Sequence, residues 1–125
     1  MGGKDFCFIE LTDGSGAATL QVVVDSSMPN FAQVSHATVG TSFKIKGKLI
    51  KSPAKGQLVE LQVCQADTHA VKIIGDCPGD SYPLAKKKHT VEYLRDIAHL
   101  RPRTKLISAV TRIRNNLAYA THKFF

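Results

Sequence analysis

The chain has 125 residues, of which 43% are hydrophobic and 22% are charged, and its formal net charge is +7. These values are typical of one globular domain of ordinary size and exclude a disordered polyelectrolyte. No apolar run approaches the ~18 residues that a membrane span needs, and the first residues contain no apolar signal-peptide core. We therefore expect a cytoplasmic protein without a membrane partner.

The three cysteines are odd in number and show no CxxC spacing: Cys7, Cys64 and Cys77. This pattern disfavours both a disulfide framework and a structural zinc site, and it fits a reducing compartment. We therefore predict that the chain has no metal site.

The positive charge is unevenly distributed. Residues 1–75 contain seven lysines against six acids, whereas residues 76–125 contain ten Lys or Arg against four acids. Five lysines also lie in a stretch without acids between Ser26 and Val59. Such a surface favours a polyanion as partner, most commonly nucleic acid. The alternative is that these lysines solvate a face or protect a sheet edge.

The stretch from Lys4 to Asp25 predicts two β-strands joined by a turn. Apolar and polar residues alternate on both sides of the turn signal Asp13-Gly14-Ser15-Gly16. If the other faces of the two strands form a core, Phe8 and Gln21 point outward from neighbouring strands. An outward ring beside an outward amide suits a nucleic-acid base, because the base stacks on the ring and the amide bonds its edge.

A third strand is predicted at Phe43–Lys51, after a short helix that Ser27 would cap and Pro29 would begin. In this third strand apolar residues alternate with lysines, so we expect the strand to have one buried face and one basic face. The inward positions are Phe43, Ile45, Gly47 and Leu49, and the outward ones are Lys44, Lys46 and Lys48.

A loop at residues 52–56 leads into a fourth predicted strand, Leu58–Ala66, and a short extra strand is expected at residues 71–74. The inward residues of the fourth strand are Val59, Leu61 and Val63, and its outward residues are Glu60 and Gln62. Several short strands with one short helix predict a mainly β fold with some α, a Greek-key barrel of the OB type.

The sequence changes character at residue 76. Residues 76–104 contain a Pro/Gly/Asp-rich stretch and a short helix that Thr90 can cap, so we interpret them as a hinge. Residues 105–125 predict a long helix with one apolar stripe, which needs a partner surface. The stripe consists of Leu106, Val110, Ile113, Leu117, Ala120 and Phe124. The expected domains are therefore 1–75, 76–104 and 105–125.

At Phe8, Gln21, Glu60 and the turn Thr12–Gly16, the chain resembles the OB-fold anticodon-binding domain of class IIb aminoacyl-tRNA synthetases. Two features depart from the family pattern. No Gly-Trp-Val strand precedes Phe8, so the barrel is expected to lack its first strand. Thr12, near the turn, stands where an arginine is usual.

Three further segments resemble the asparaginyl members of this class. Residues 82–95 read YPLAKKKHTVEYLR and residues 99–104 read HLRPRT, and the aspartate and lysine enzymes usually differ here. Residues 112–125 resemble the start of the catalytic domain, in the helix of class II motif 1. The match covers nearly all of the chain.

The resemblance implies a tRNA anticodon loop as partner, with Phe8 stacking on a base and with Gln21 and Glu60 reading the central uridine. Uridine offers carbonyl acceptors and one N–H donor, which an amide and a carboxylate match. The outward lysines of the third strand, Lys44, Lys46 and Lys48, would hold phosphates. Two alternatives stay open: a register slip of one residue would make Phe8 a core ring, and Gln21 and Glu60 are of a kind that is ordinarily solvent-facing in strands.

The resemblance also implies a parent enzyme that attaches asparagine to tRNA(Asn) with ATP and Mg²⁺, as a homodimer through the 105–125 helix. The motifs that hold ATP are not in this sequence, so we predict no catalytic residue, no cofactor bound by this chain, and no activity of the chain alone. Two alternative functions remain. The chain is an OB module that binds single-stranded nucleic acid without base preference, or its 105–125 helix is a dimerisation segment and the β part has no binding role of its own.

Overall fold

The computed structural model describes residues 5–64 and 67–125. The chain forms two compact units, one that ends at Tyr82 and one that spans Pro83–Phe125. The first contains β1 (Phe6–Leu11), β2 (Leu20–Asp25), α1 (Phe31–Ser35), β3 (Ser42–Ile45), β4 (Gly47–Lys51), β5 (Val59–Val63) and β6 (Val71–Gly75). The second contains α2 (Val91–Asp96), a 3₁₀ turn (Arg101–Arg103) and α3 (Lys105–Phe124). The predicted three-part division stays a prediction, and Lys4, Gln65 and Ala66 of the predicted strands lie outside the described residues.

The strands of the first unit form two sheets. The larger has the order β1-β2-β5-β4, and the smaller pairs β3 with β6. In the larger sheet β1 is antiparallel to β2, β2 is parallel to β5, and β5 is antiparallel to β4. The turn between β1 and β2 forms as predicted: Gly14 has φ +77°, and the Ser15 N–H donates to Asp13 Oδ1 at 2.9 Å.

The inward faces of β1 and β2 lie in the centre of the core. Val22 and Val24 are fully buried, and their cross-strand partners are Ile9 and Cys7. Burying such a valine contributes ~1.5–3 kcal/mol. Burial also raises the pKa of the Cys7 thiol, so this cysteine behaves as a small apolar residue. The other buried members of this cluster are Met28, Val34, Val63, Ala70 and Val71.

The single strand predicted at Phe43–Lys51 is wrong, because it is two strands in different sheets. The chain changes sheet at Lys46, whose N–H donates to the Ala70 carbonyl while its own carbonyl accepts from the Cys64 N–H. Gly47 follows directly, and a Cβ there would collide with the Gln62 carbonyl. Alternation of apolar residues continues through such a bend, so the pattern does not reveal it.

Three of the predicted inward positions are exposed. Leu49 is 60% exposed although it pairs with Leu61, and Val59 and Gly47 are exposed as well. Gly47 and Leu49 are exposed because β4 is at an edge of the larger sheet, and Val59 lies at the start of β5, before the pairing of β5 with β2 begins at Glu60.

The predicted Ser27 cap is also wrong. The helix begins at Phe31, and the Ser27 N–H instead donates to Asp25 Oδ1 at 2.8 Å in the preceding turn. Asn30 occupies the capping position, but its amide donates to the Val71 carbonyl at 2.6 Å. In the second unit Thr90 does cap α2, since its hydroxyl accepts from the Tyr93 N–H at 3.3 Å.

Candidate nucleic-acid interface

The outward face of the larger sheet carries the three predicted base-reading residues. Gln21 of β2 is the direct register partner of Glu60 of β5, and Phe8 of β1 pairs with Val23, two residues further along β2. Cross-strand partners share a face, and adjacent strands lie ~4.8 Å apart. Gln21 and Glu60 are therefore neighbours, and Phe8 lies diagonally from Gln21 at ~7–8 Å.

Phe8 presents an aromatic surface to solvent, with 49% of its side chain exposed. The register slip that would bury it does not occur, because Cys7 and Ile9 face the core instead. Phe6 lies on the same face and is also exposed, so β1 presents two rings in a row. We did not single out Phe6 from the sequence, although its spacing of two residues from Phe8 is the signal that would have found it.

Glu60 lies on the predicted face but is not solvent-facing, since it is 8% exposed. Its Oε2 accepts hydrogen bonds from Ser52 Oγ at 3.1 Å and from Gln57 Nε2 at 3.3 Å. Both donors belong to the loop between β4 and β5, which covers the carboxylate. Ser52 and Gln57 were not predictable from the sequence, because the position of a polar residue in a hairpin loop does not indicate what its side chain contacts.

The three predicted phosphate contacts are separated by the bend at Lys46. Lys48 pairs with Gln62, whose other register partner is Val23, so it lies on the same sheet face as Phe8. Lys44 lies in the smaller sheet, opposite Lys72. The structure therefore brings one of the three lysines to the sheet face that carries Phe8, Gln21 and Glu60, the predicted base-reading face.

Lys46 is engaged in an ion pair. Its Nζ lies 3.6 Å from Asp67 Oδ2. The pKa of the Asp67 carboxyl is below its usual range, chiefly because the His69 N–H donates to it at 2.9 Å and also because of the Lys46 charge. This pairing offsets the positive charge that Lys46 would offer to a phosphate.

Thr12 has a local role in the turn between β1 and β2. Its hydroxyl oxygen accepts a hydrogen bond from the Gly14 N–H at 3.1 Å, and the whole turn is exposed. A threonine here therefore supports the turn backbone, which an arginine guanidinium, having no acceptor, does not do in the same way.

Within residues 5–64 and 67–125, no three His, Cys, Asp or Glu side chains form a group that could hold a metal ion. No helix in the same ranges is both long enough and apolar enough to cross a membrane.

A family model described as an OB-fold nucleic acid binding domain matches residues 1–66. This chain belongs to that family. The predicted fold class is thereby confirmed, and the exposed Phe8 ring, the Gln21 amide and the Glu60 carboxylate lie on one sheet of a domain type that binds nucleic acids.

Curated relatives match along nearly the whole chain. The asparagine–tRNA ligase of Desulfotalea psychrophila is 45% identical over 122 residues, which cover 97% of this chain and 26% of the relative. That of Geotalea uraniireducens is 47% identical over 123 residues, covering 98% and 25%. The resemblance to asparaginyl enzymes is therefore confirmed, and the chain spans about a quarter of the length of these relatives.

A solved structure shares the fold. The asparaginyl-tRNA synthetase of Entamoeba histolytica, in complex with asparaginyl-adenylate, superposes with a TM-score of 0.76 over 98% of this chain and 28% of its own. The two sequences are 24% identical, so this match supports the fold alone.

Proposed function

We propose that this chain is the anticodon-recognition part of an asparagine–tRNA ligase and that it binds the anticodon loop of tRNA(Asn) on the outward face of the larger sheet. The proposal rests on one observation. Gln21 and Glu60 are direct register partners on neighbouring strands, and the exposed Phe8 ring lies on β1, which pairs with the strand of Gln21. The names of the curated relatives support the choice of ligase.

The chemistry of the pair suits a uridine. The Glu60 carboxylate accepts only, so it takes the uridine N3–H, while the Gln21 amide donates to a neighbouring carbonyl. A cytidine presents an unprotonated N3 to the same carboxylate, so two acceptors face each other. An unmet polar group in a covered site costs ~1–3 kcal/mol, which is enough to discriminate between the two bases about tenfold or more.

The Phe8 ring provides the stacking surface. Stacking of one base on an aromatic side chain contributes ~1–3 kcal/mol and does not depend on which base is stacked. Phe8 therefore supplies affinity and the Gln21–Glu60 pair supplies the choice of base. Lys48, on the same face, contributes a phosphate contact that carries no sequence information.

The whole ligase, in this proposal, works in the cytoplasm and activates asparagine with ATP and Mg²⁺. Among residues 5–64 and 67–125, no three His, Cys, Asp or Glu side chains form a group that could hold a metal ion. Because the motifs that hold ATP were not found in this sequence, we assign the chemical steps to other parts of the ligase and expect this chain alone to be inactive.

The proposal includes a homodimer formed by α3. Its apolar stripe is exposed along the helix, from Leu106 to Phe124. A contiguous apolar stripe on a helix indicates a protein partner. A second copy of the ligase is the partner that the resemblance of this segment to the motif 1 helix implies.

Fluorescence binding to synthetic anticodon stem-loops that differ only at the central base tests the proposal. We expect the U loop to bind about tenfold or more tightly than the C and A loops. Equal affinity for all three contradicts base reading. If that equality comes with a steep salt dependence, the chain is a general single-strand-binding module instead.

A further inference from the structure

Glu60 is the only buried charged side chain among residues 5–64 and 67–125. Both of its hydrogen bonds end on Oε2, and no described residue donates to Oε1. Oε1 is not among the buried side-chain atoms that lack a partner, so it keeps contact with solvent while Oε2 is held by the loop. This asymmetry leaves Oε1 available as the acceptor for a ligand.

The two donors to Oε2 are themselves fixed. Ser52 Oγ accepts from the Ala54 N–H at 3.1 Å and from Gln57 Nε2 at 2.8 Å, so its own proton is directed to Glu60. The Gln57 amide donates from the same nitrogen to both Ser52 and Glu60. A backbone bond from the Ser52 N–H to the Leu58 carbonyl, at 3.1 Å, closes the loop around this group.

We propose that Ser52 and Gln57 are positioning residues for base selection: they hold Oε2 of Glu60 so that Oε1 faces the base beside Gln21. This inference rests on the proposed function. A held carboxylate cannot rotate away from a cytidine N3, so the repulsion between the two acceptors is retained. A carboxylate without these donors can turn aside and tolerate the wrong base, so selectivity falls more than affinity.

The test measures the ratio of cytidine-loop Kd to uridine-loop Kd with the full chain by fluorescence anisotropy. We expect Ser52→Ala and Gln57→Ala each to lower this ratio by about tenfold, while affinity for the uridine loop falls by less than about threefold. Ser52→Thr keeps the hydroxyl and should keep the ratio. The matched controls Ser42→Ala and Gln33→Ala remove exposed side chains from β3 and α1 and should change nothing.

The outcomes separate the two proposals. If the wild type binds both loops equally, the proposed function fails and the positioning role fails with it. If the wild type discriminates and the Ser52 and Gln57 variants discriminate equally well, the proposed function stands and the positioning role is overturned.

A second measurement needs no RNA. Chemical unfolding of Ser52→Ala, Glu60→Ala and the double variant, with circular dichroism to show that each folds, reports the coupling between the two side chains. Non-additive effects support the contact. Additive effects contradict it, whatever the RNA result, and show that Ser52 does not act through Glu60.

Discussion

The two sheets of the first unit carry lysine in different surroundings. On the larger sheet, Lys48 shares a face with an exposed phenylalanine ring, an amide and a carboxylate. On the smaller sheet, Lys44 lies opposite Lys72, and both are exposed. Like charges directly opposite each other in a sheet are destabilising, so the Lys44–Lys72 pair disfavours the smaller sheet unless a negative charge binds there.

Positive charge alone does not locate a nucleic-acid-binding face. Phosphate contacts position a nucleic acid, whereas contacts with bases specify it. Under the proposed function, the larger sheet makes both kinds of contact. The proposed function therefore places the anticodon loop on the larger sheet, and variants that act differently on the two sheets test that choice.

The largest expected effect comes from Phe8→Ala on the larger sheet. Loss of the ring removes the stacking surface, so affinity for the uridine loop should fall more than tenfold, at ~1–3 kcal/mol. Affinity for the cytidine loop should fall by a similar factor, because stacking does not depend on the base. Fluorescence binding measures both.

Phe125→Ala is the matched control for Phe8, since it removes an exposed ring from the second unit. Affinity for both loops should stay at the wild-type value in this control. Wild-type affinity in Phe8→Ala itself would contradict the assignment of the larger sheet and move the site elsewhere.

The sheet face that a side chain occupies was easier to predict from the sequence than the order of the strands in the sheets. Period-2 alternation placed Phe8 and Gln21 outward correctly, because the apolar residues between them have one buried face to fill. The same alternation continued through Lys46, where the chain changes sheet, and it did not reveal that β4 is an edge strand that leaves Leu49 exposed. Strand order comes from contacts between distant segments, which no local pattern encodes.

Glu60 shows the same limit at the site. Its place on a strand face followed from its neighbours in sequence, but its burial depends on how residues 52–58 fold back over β5. The contacts of a loop side chain depend on the folded path of the loop, so the contact between Gln57 and Glu60 was not predictable from their spacing in the sequence. The role of Glu60 in base reading stays a prediction, which the stem-loop experiments test.

A smaller effect should separate Lys48 from Lys44. Lys48→Ala removes a charge from the base-reading face, so the slope of log affinity against log salt should become shallower by about 0.7, as for one phosphate contact with a single strand. Lys44→Ala removes the same charge from the smaller sheet and should change the slope by less than half as much. Equal changes would show that the loop's phosphates contact both sheets.

The smallest effect concerns Asp67, which offsets the charge of Lys46. Asp67→Asn keeps an oxygen that accepts from the His69 N–H but removes the negative charge, so Lys46 is released. Affinity for every stem-loop should rise by at most about threefold, without a change in base preference, because an exposed ion pair is weak and screened by salt. A change in base preference would place Lys46 in direct contact with a base.

The pH dependence of unfolding checks the same pair independently. Folding lowers the pKa of Asp67, mainly through the His69 N–H and also through the Lys46 charge, so the folded state favours the ionised form. The resulting stabilisation is present above the unfolded pKa of ~3.9 and is lost as the pH falls through the lowered folded value. The free energy of unfolding of the wild type, measured from pH 7 to pH 3, should therefore fall more steeply than that of Asp67→Asn. Parallel curves would show that the His69 N–H and the Lys46 charge do not stabilise the ionised Asp67 carboxyl in the folded state. Lys46 would then be as available to phosphate as Lys48.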